Sequence, residues 1–583
     1  MNSKMKKSII YILSIIITLG TTSCFKNFDE MQTNPNFPTD VNPGNLFANA
    51  TYSRIGGIYG FQAEDFNLTA SGLWAQQYAK IQYIDEDWYE YRSNAIDAYW
   101  KYAMSGSSDN GSASMYDLEL ALHKVRETKK ALSENPTGNE KQIANYEAME
   151  GAILVMRSYF FSIMTDVWGD VPYSDAFKTV ALGYERTITQ PKYDHQKDIY
   201  SDLFDQLSLA NELLSNGGSV ESQSDLIYGG DASKWRRLAN SLSARLYIHI
   251  SKVDAATAQT GLTRIFSDVS KYPVFTSIED DAMMTYAGTQ PYEHPFFKNY
   301  VRDNRDDFSS SKTMIDMLKE RKDTRMYIYA TPTPASITVF DSTKNHADLQ
   351  YTGQENGVPK GEEFAIADRS RLGVLYRSTP NGVSHIMSYA ELEFIKAEAA
   401  VNLGVSAAGS PQVAYEKGIR ASFERQYNLI EQYGVKTASF GDKNGSITFA
   451  EGKVEEEDGY VVEVSMANLE EHIQRTLSQM NVAWDISNAE QLIAEQKYIS
   501  LFTNGPEAFV EVRRTNYPQL TFVRGGTQYK GLGLPNRFPY AISEQTTNAS
   551  NWAVAAEGIT NTMYGKTVWW NHKAFDNYRI IQK

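Results

Sequence analysis

The chain has a single cysteine, Cys24, in 583 residues. No intrachain disulfide can form, so a fold of this size must be held by packing. Histidine is also scarce, with 8 residues and no pair at i,i+4 spacing. G-x-S-x-G, H-E-x-x-H, the P-loop and G-x-G-x-x-G are all missing. Serine-hydrolase, zinc-peptidase, nucleotide and dinucleotide chemistry therefore lack their usual residues, and no cofactor or metal is implied. His249 sits in an apolar helical pattern and reads as a satisfied core histidine. Phe440 to Glu451 matches a calcium loop at its sixth, eighth and twelfth positions, but Phe440 stands first, where a ligating oxygen is needed. A hairpin is the better reading. A cationic excess is absent too: 56 Lys and Arg face 71 Asp and Glu, for a formal charge of -15. That balance argues against nucleic acid or anionic lipid as a partner.

Long apolar runs are confined to the N-terminus. Lys4, Lys6 and Lys7 precede an apolar stretch of 12 residues, Ile9 to Gly20, too short for an ordinary spanning helix. Residues 1–23 read as a signal peptide. Cys24 follows the small residues Thr21, Thr22 and Ser23, the arrangement of a bacterial lipoprotein signal, although Thr21 stands where Leu is usual. Cleavage before Cys24 and its acylation would anchor the chain. Removing residues 1–23, with their three lysines, takes the formal charge from -15 to -18. Phe25, not Asp, follows the cysteine, so no inner-membrane retention signal is present. The charged tract Lys26 to Glu30 resembles those that send lipoproteins to the cell surface. Residues 24–45, with Asn34-Pro35 and Asn42-Pro43, read as an extended tether.

What the chain does have is helical periodicity and tyrosine. Apolar residues at helical spacing mark 146–168, 195–215 and 232–252, with shorter candidates at 46–59, 64–79, 113–133 and 257–268. Helices return at 387–404, 411–427 and 488–502. The Gly-Asp-Val-Pro stretch at 169–172 ends the first long helix. The fold class is mainly α: helix pairs resembling tetratricopeptide-type packing, without a clean 34-residue repeat. The scaffold is assigned to about 46–270 and 387–515 of a 46–583 domain. Residues 271–386 form an irregular, loop-rich lobe, with Tyr286 to Phe308 read as loop. A small β insertion is expected at 436–466, where Asn444-Gly445 and Asp458-Gly459 signal two hairpins.

The 37 tyrosines and 9 tryptophans offer flat faces with polar tips, suited to sugar rings and half-wet interfaces. Tyr83, Trp88, Tyr89 and Tyr91 crowd among Asp85, Glu86, Asp87 and Arg92. The segment has no helical stripe, and its charges are expected to hold it at the surface. Trp88 is the first candidate for stacking on a ligand. A second patch is Tyr286, Tyr292, Asn299 and Arg302.

Several stretches, in order, resemble one family. They are Asp166 to Phe177 (DVWGDVPYSDAF), 272–288, 318–330, 387–400, 414–424, 494–520 with Glu511-Val512-Arg513-Arg514-Thr515, and 534–548 with Asn536-Arg537-Phe538-Pro539-Tyr540. In this order the chain resembles the SusD/RagB outer-membrane lipoproteins, in the branch carrying Trp-Gly-Asp-Val-Pro. The resemblance implies four tetratricopeptide-like helix pairs and no enzymatic activity. It implies a lid on a SusC-like TonB-dependent outer-membrane transporter that captures oligosaccharides or, in some members, peptides. Glycan and peptide both remain open as ligands. The early loop around Trp88 would border the ligand surface. The motifs themselves are expected to serve the scaffold, with Arg513 and Arg514 pairing with buried carboxylates.

Overall fold

A computed structural model describes residues 41–60, 66–89, 93–106, 113–181, 188–358, 365–441, 445–449, 452–523, 533–559, 563–571 and 579–581. Cys24, the signal and tether up to residue 40, and Tyr91 lie outside the described residues.

Helices dominate. The principal ones are α1 (Pro43–Tyr59), α2 (Ser93–Ser105), α3 (Met115–Ser133), α4 (Glu140–Trp168), α5 (Gln196–Leu213), α6 (Ala232–His249), α7 (Ala255–Ser267), α8 (Tyr389–Leu403), α9 (Pro411–Gln432), α10 (Ala489–Ser500) and α11 (Gly505–Thr515). Their ends are built from ordinary caps. Asn42 accepts from the Gly44 N–H with Pro43 in the first turn, and Ser114 and Asp117 form a reciprocal capping box on α3. Consecutive helices pack together: α3 on α4, α4 on α5, α5 on α6, α6 on α7, and α8 on α9. α8 also packs on α6 and α10, which joins the two halves of the scaffold.

The central element is α4, buried over nearly all of its last twenty residues, as an apolar helix must be when surrounded. Gly169, at φ +76, ends it, its N–H donating to the Thr165 carbonyl at 2.7 Å. Gly418 of α9 lies so close to α8 that a Cβ would stand 2.7 Å from Phe394. That contact accounts for the glycine in the AYEKGIRASFE stretch. No described helix is long and apolar enough to cross a membrane.

The family-like motifs meet in this core. Trp168 is buried, its indole N–H donating to the Pro539 carbonyl at 2.9 Å and its ring stacked on Tyr99 at 5.1 Å. Arg537 donates to the Trp168 carbonyl. Arg514 forks onto Glu398 at 2.5 and 2.7 Å and reaches Glu511 at 2.7 Å. Arg513 donates to the carbonyls of Asp166 (3.0 Å), Asn536 (2.9 Å) and Phe509 (3.1 Å) and lies over the Phe509 ring, and its charge favours the ionised form of the buried Asp166 carboxyl. Its fork thus gathers carbonyls from α11, from the segment beside it and from the end of α4.

Strands are short and paired in twos. β1 (Tyr78–Lys80) pairs with β3 (Phe308–Ser310), and β2 (Ala282–Thr285) with β4 (Val383–Met387), both antiparallel. The insertion holds two hairpins, β5 (Ser439–Gly441) with β6 (Ile447–Phe449) and β7 (Val454–Glu455) with β8 (Val461–Val462). Tyr286 to Phe308, expected as loop, contains two single helical turns, Pro295–Phe297 and Lys298–Arg302, too short to leave a periodic signal.

Candidate functional site

The β1–β3 pair brings together two segments more than two hundred residues apart. Tyr78 faces Ser310, Ala79 faces Ser309 and Lys80 faces Phe308. One residue on, the Ile81 N–H donates to the Asp307 carbonyl at 2.8 Å. Residues 81–89 therefore leave β1 at the end where residues 298–307 enter β3. At the junction the Arg305 guanidinium lies 4.8 Å from the centre of the Tyr83 ring. Arg305 is held from below by Asp307 at 2.6 Å, a carboxylate with 1% side-chain exposure. Tyr83 is 62% exposed, so its ring, covered on one side by Arg305, stands largely in solvent.

Beyond Tyr83 the chain makes a tight turn, Ile84–Trp88, flanked by two left-handed residues, Tyr83 at φ +55 and Tyr89 at φ +59. Neither is glycine, so the turn carries strain that its contacts must hold. Those contacts point inward. Asp87 accepts from the Lys80 N–H at 2.7 Å and from the Asn356 side-chain amide at 3.1 Å, and burial pushes its carboxyl up to about 8. The Trp88 indole N–H donates to the Val358 carbonyl at 2.6 Å. Tyr89 packs between Trp74 and Phe522. Trp88 is 8% exposed and Tyr89 is buried, so neither presents an open face. The expectation that charge keeps this segment at the surface is corrected here: Glu86 and Asp87 are themselves buried and turn the aromatics in with them.

The second patch divides the same way. Tyr286 is buried, its hydroxyl 3.1 Å from Ser384 Oγ. Asn299 is buried and donates to Asp307 at 3.3 Å. Both are enclosed because they brace the residues around them. Tyr292 is half exposed and edge-on to Tyr52 at 5.3 Å. Arg302 is exposed and grips Glu293, its Nε at 2.9 and 3.0 Å and its Nη2 at 2.5 Å; that carboxylate has 1% side-chain exposure. The outward-facing members of the two patches are thus Tyr83, Tyr292 and Arg302. Arg305 joins them, a residue that sequence reasoning passed over because nothing in the spacing ties it to Tyr83. The β5–β6 hairpin borders this surface: the Tyr300 hydroxyl donates to the Gly441 carbonyl at 3.0 Å, and Arg377 lies over the Tyr300 ring while pairing with Asp306 at 3.2 Å.

Half-open clefts lie elsewhere. One of about 300 Å³ separates the helix Lys312–Glu320 from β7, floored by Leu318, Met326, Leu349 and Val454. Another of about 420 Å³ lies between α3 and α5 and is lined by Arg157, Tyr173 and Asp202, already bonded to one another. His249, Glu507 and Glu511 stand close enough to suggest a metal. Buried cations fill that role instead: Lys497 reaches Glu511 at 2.9 Å, Arg245 reaches Glu507 at 3.5 Å, and Arg514 takes the other face of Glu511. His249 bonds Glu507 at 3.0 Å and the Tyr200 hydroxyl at 3.1 Å, a satisfied core histidine. The Tyr83–Arg305 junction is an open surface with an aromatic face and anchored donors. Such a surface can stack on a ring and bond its hydroxyls.

Comparison with known proteins agrees with this architecture. Curated protein sequences offer no match. Among solved structures, a chitin-binding protein superposes with a TM-score of 0.68 at 24% identity, covering 91% of this chain and 100% of the other. A chitin-binding SusD homologue from Flavobacterium johnsoniae gives 0.65 at 21% identity, covering 91% and 99%. A SusD homologue from Bacteroides fragilis gives 0.66 at 22% identity, covering 91% and 100%. At these identities the likeness establishes the fold. The SusD-like family model, described as "Starch-binding associating with outer membrane", matches residues 35–541. With that match over most of its length, the chain belongs to the SusD-like family of starch-binding proteins associated with the outer membrane.

Proposed function

We propose that this protein is a lipid-anchored glycan-binding lid. It captures oligosaccharides at the outer face of the outer membrane and passes them to a SusC-like TonB-dependent transporter, without catalysing any reaction. One observation carries the ligand class: at the β1–β3 junction a solvent-facing tyrosine ring stands beside a guanidinium fixed by a buried carboxylate. A flat apolar face next to oriented N–H donors complements a pyranose, which offers C–H faces and hydroxyl edges. Family membership supports the same ligand class and the membrane location. Two of the structures that share the fold are described as chitin-binding. The anchor would be Cys24 and the partner a barrel.

The test has two parts. Purified protein run through native gels containing single polysaccharides should be retarded by at least one of them; migration unchanged in all, with retention of a peptide pool instead, would reverse the ligand class. Mild detergent extraction of cells should bring down a barrel protein larger than this chain. Recovery of the protein alone would remove the transporter from the proposal.

A further inference from the structure

The charge arrangement at the Tyr83 surface says more than that a glycan binds. The two exposed guanidiniums among its described residues are cancelled locally. Arg302 is gripped by Glu293, and Arg305 is paired with Asp307. Each of those carboxylates has 1% side-chain exposure, so each is a fixed negative charge directly behind its arginine. Exposed Asp303 stands between the two arginines in the chain and adds a further negative charge. Deeper in, Arg371 and Arg377 share Asp306 at 2.8 and 3.2 Å, and Lys80 lies 3.9 Å from Glu86. Among the described residues, the surface thus offers hydrogen-bond donors without net positive charge.

Resting on the glycan reading above, we infer that this surface selects electrically neutral saccharides over uronate- or sulfate-bearing ones, with Glu293 and Asp307 as its specificity-determining residues. An arginine backed by a buried carboxylate remains a good donor to hydroxyl and acetamido oxygens. It is a poor counter-ion, because an incoming anion meets the attraction of the guanidinium and the repulsion of the carboxylate behind it. A site built for anionic glycans would leave its arginines uncancelled, and binding would weaken steeply with salt. Discrimination here comes from placing like charge behind the donor.

The experiment compares two sets of probes on the full chain. Starch, chitooligosaccharides and xyloglucan are the neutral set; polygalacturonate, hyaluronan and heparin are the acidic set. Retention is measured at 50 and 500 mM NaCl. The expected result is retention on a neutral member, changed less than about twofold by salt, and at least about tenfold weaker retention on every acidic member. Tight, salt-sensitive binding of an acidic glycan would overturn this inference while leaving the glycan reading intact. Absence of retention on either set, with capture of peptides, would overturn both. Two variants test the assigned residues: Glu293→Gln and Asp307→Asn each free one guanidinium. In 50 mM NaCl each should raise the ratio of acidic to neutral affinity at least about fivefold. An unchanged ratio in a variant that still folds, judged by circular dichroism, would contradict the assignment.

Discussion

Tyr83 and Trp88 stand five residues apart in one aromatic cluster, yet they are expected to respond in opposite ways to truncation. Tyr83→Ala removes a ring that is 62% exposed and that lies beside the Arg305 guanidinium at 4.8 Å. An exposed cation–π contact is worth about 0.5–1 kcal/mol, so stability should fall by no more than that. The backbone strain at φ +55 is unchanged, since alanine tolerates the left-handed region no better than tyrosine. The ligand should lose a stacking face, on the order of 1–3 kcal/mol by analogy with bases stacked on aromatic side chains. That is roughly a five- to 150-fold weaker Kd. Tyr83→Phe keeps the ring and should bind within about threefold of wild type. Trp88→Ala should do the reverse. The indole is 8% exposed and donates to the Val358 carbonyl at 2.6 Å. Emptying that site should cost about 3–5 kcal/mol of stability. The assays are isothermal titration with the oligosaccharide that retards the protein, and urea unfolding of the same preparations. A Tyr83→Ala variant with wild-type affinity would refute the stacking role. So would a Trp88→Ala variant that keeps its stability and loses its ligand, because Trp88 would then be the exposed face.

Other perturbations read the scaffold and the anchor. Arg514→Met leaves Glu398 and Glu511 buried without their fork, and urea unfolding should report a loss of about 3–5 kcal/mol; Arg514→Lys should restore only part of it, since an ammonium cannot bridge both carboxylates as a fork does. Burial lowers the His294 imidazole to about 4 from its ordinary 6.5. The unfolded ring takes up its proton below pH 6.5 and the folded one only near 4, so this group stabilises the fold above pH 6.5 and loses its contribution, on the order of 3 kcal/mol, as pH falls to 4. Asp87, raised to about 8, acts with the opposite sign between pH 8 and 4. The effect must therefore be measured as a difference: the stability gap between wild type and His294→Gln should shrink from pH 7 to pH 4, and a constant gap would contradict it. Cys24→Ala should shift the protein out of the membrane fraction with its circular dichroism intact; retention in outer membranes of a strain lacking the barrel would contradict lipid anchoring.

The helices were legible because their apolar residues recur at helical spacing over many turns. Residues 195–215 and 232–252 correspond to α5 and α6 within a few residues. The start of α4 was less so: its first turns, Glu140 to Asn145, hold Ile143 and Ala144 side by side among polar residues and carry no stripe, so the pattern begins only at Tyr146. Asp458-Gly459 marked its hairpin because a tight turn needs a residue tolerant of positive φ, and Gly459 sits at +81. The candidate site was half legible. Composition singled out the two segments, but composition does not encode side-chain direction in a non-periodic turn. The left-handed residues at Tyr83 and Tyr89 send Asp87 and Trp88 inward, where a carbonyl, an amide and a backbone N–H receive them. Nor could the sequence show that the segments touch. That follows from three residue pairs between β1 and β3, strands too short and too far apart in the chain to announce each other.

Hydrogen–deuterium exchange of the full chain with and without a bound oligosaccharide tests most directly whether glycan is captured where those two strands end. Protection concentrated in peptides spanning 81–89 and 298–307 is the predicted result. Protection confined to the cavity between the helix Lys312–Glu320 and β7, with 81–89 and 298–307 unchanged, would contradict it.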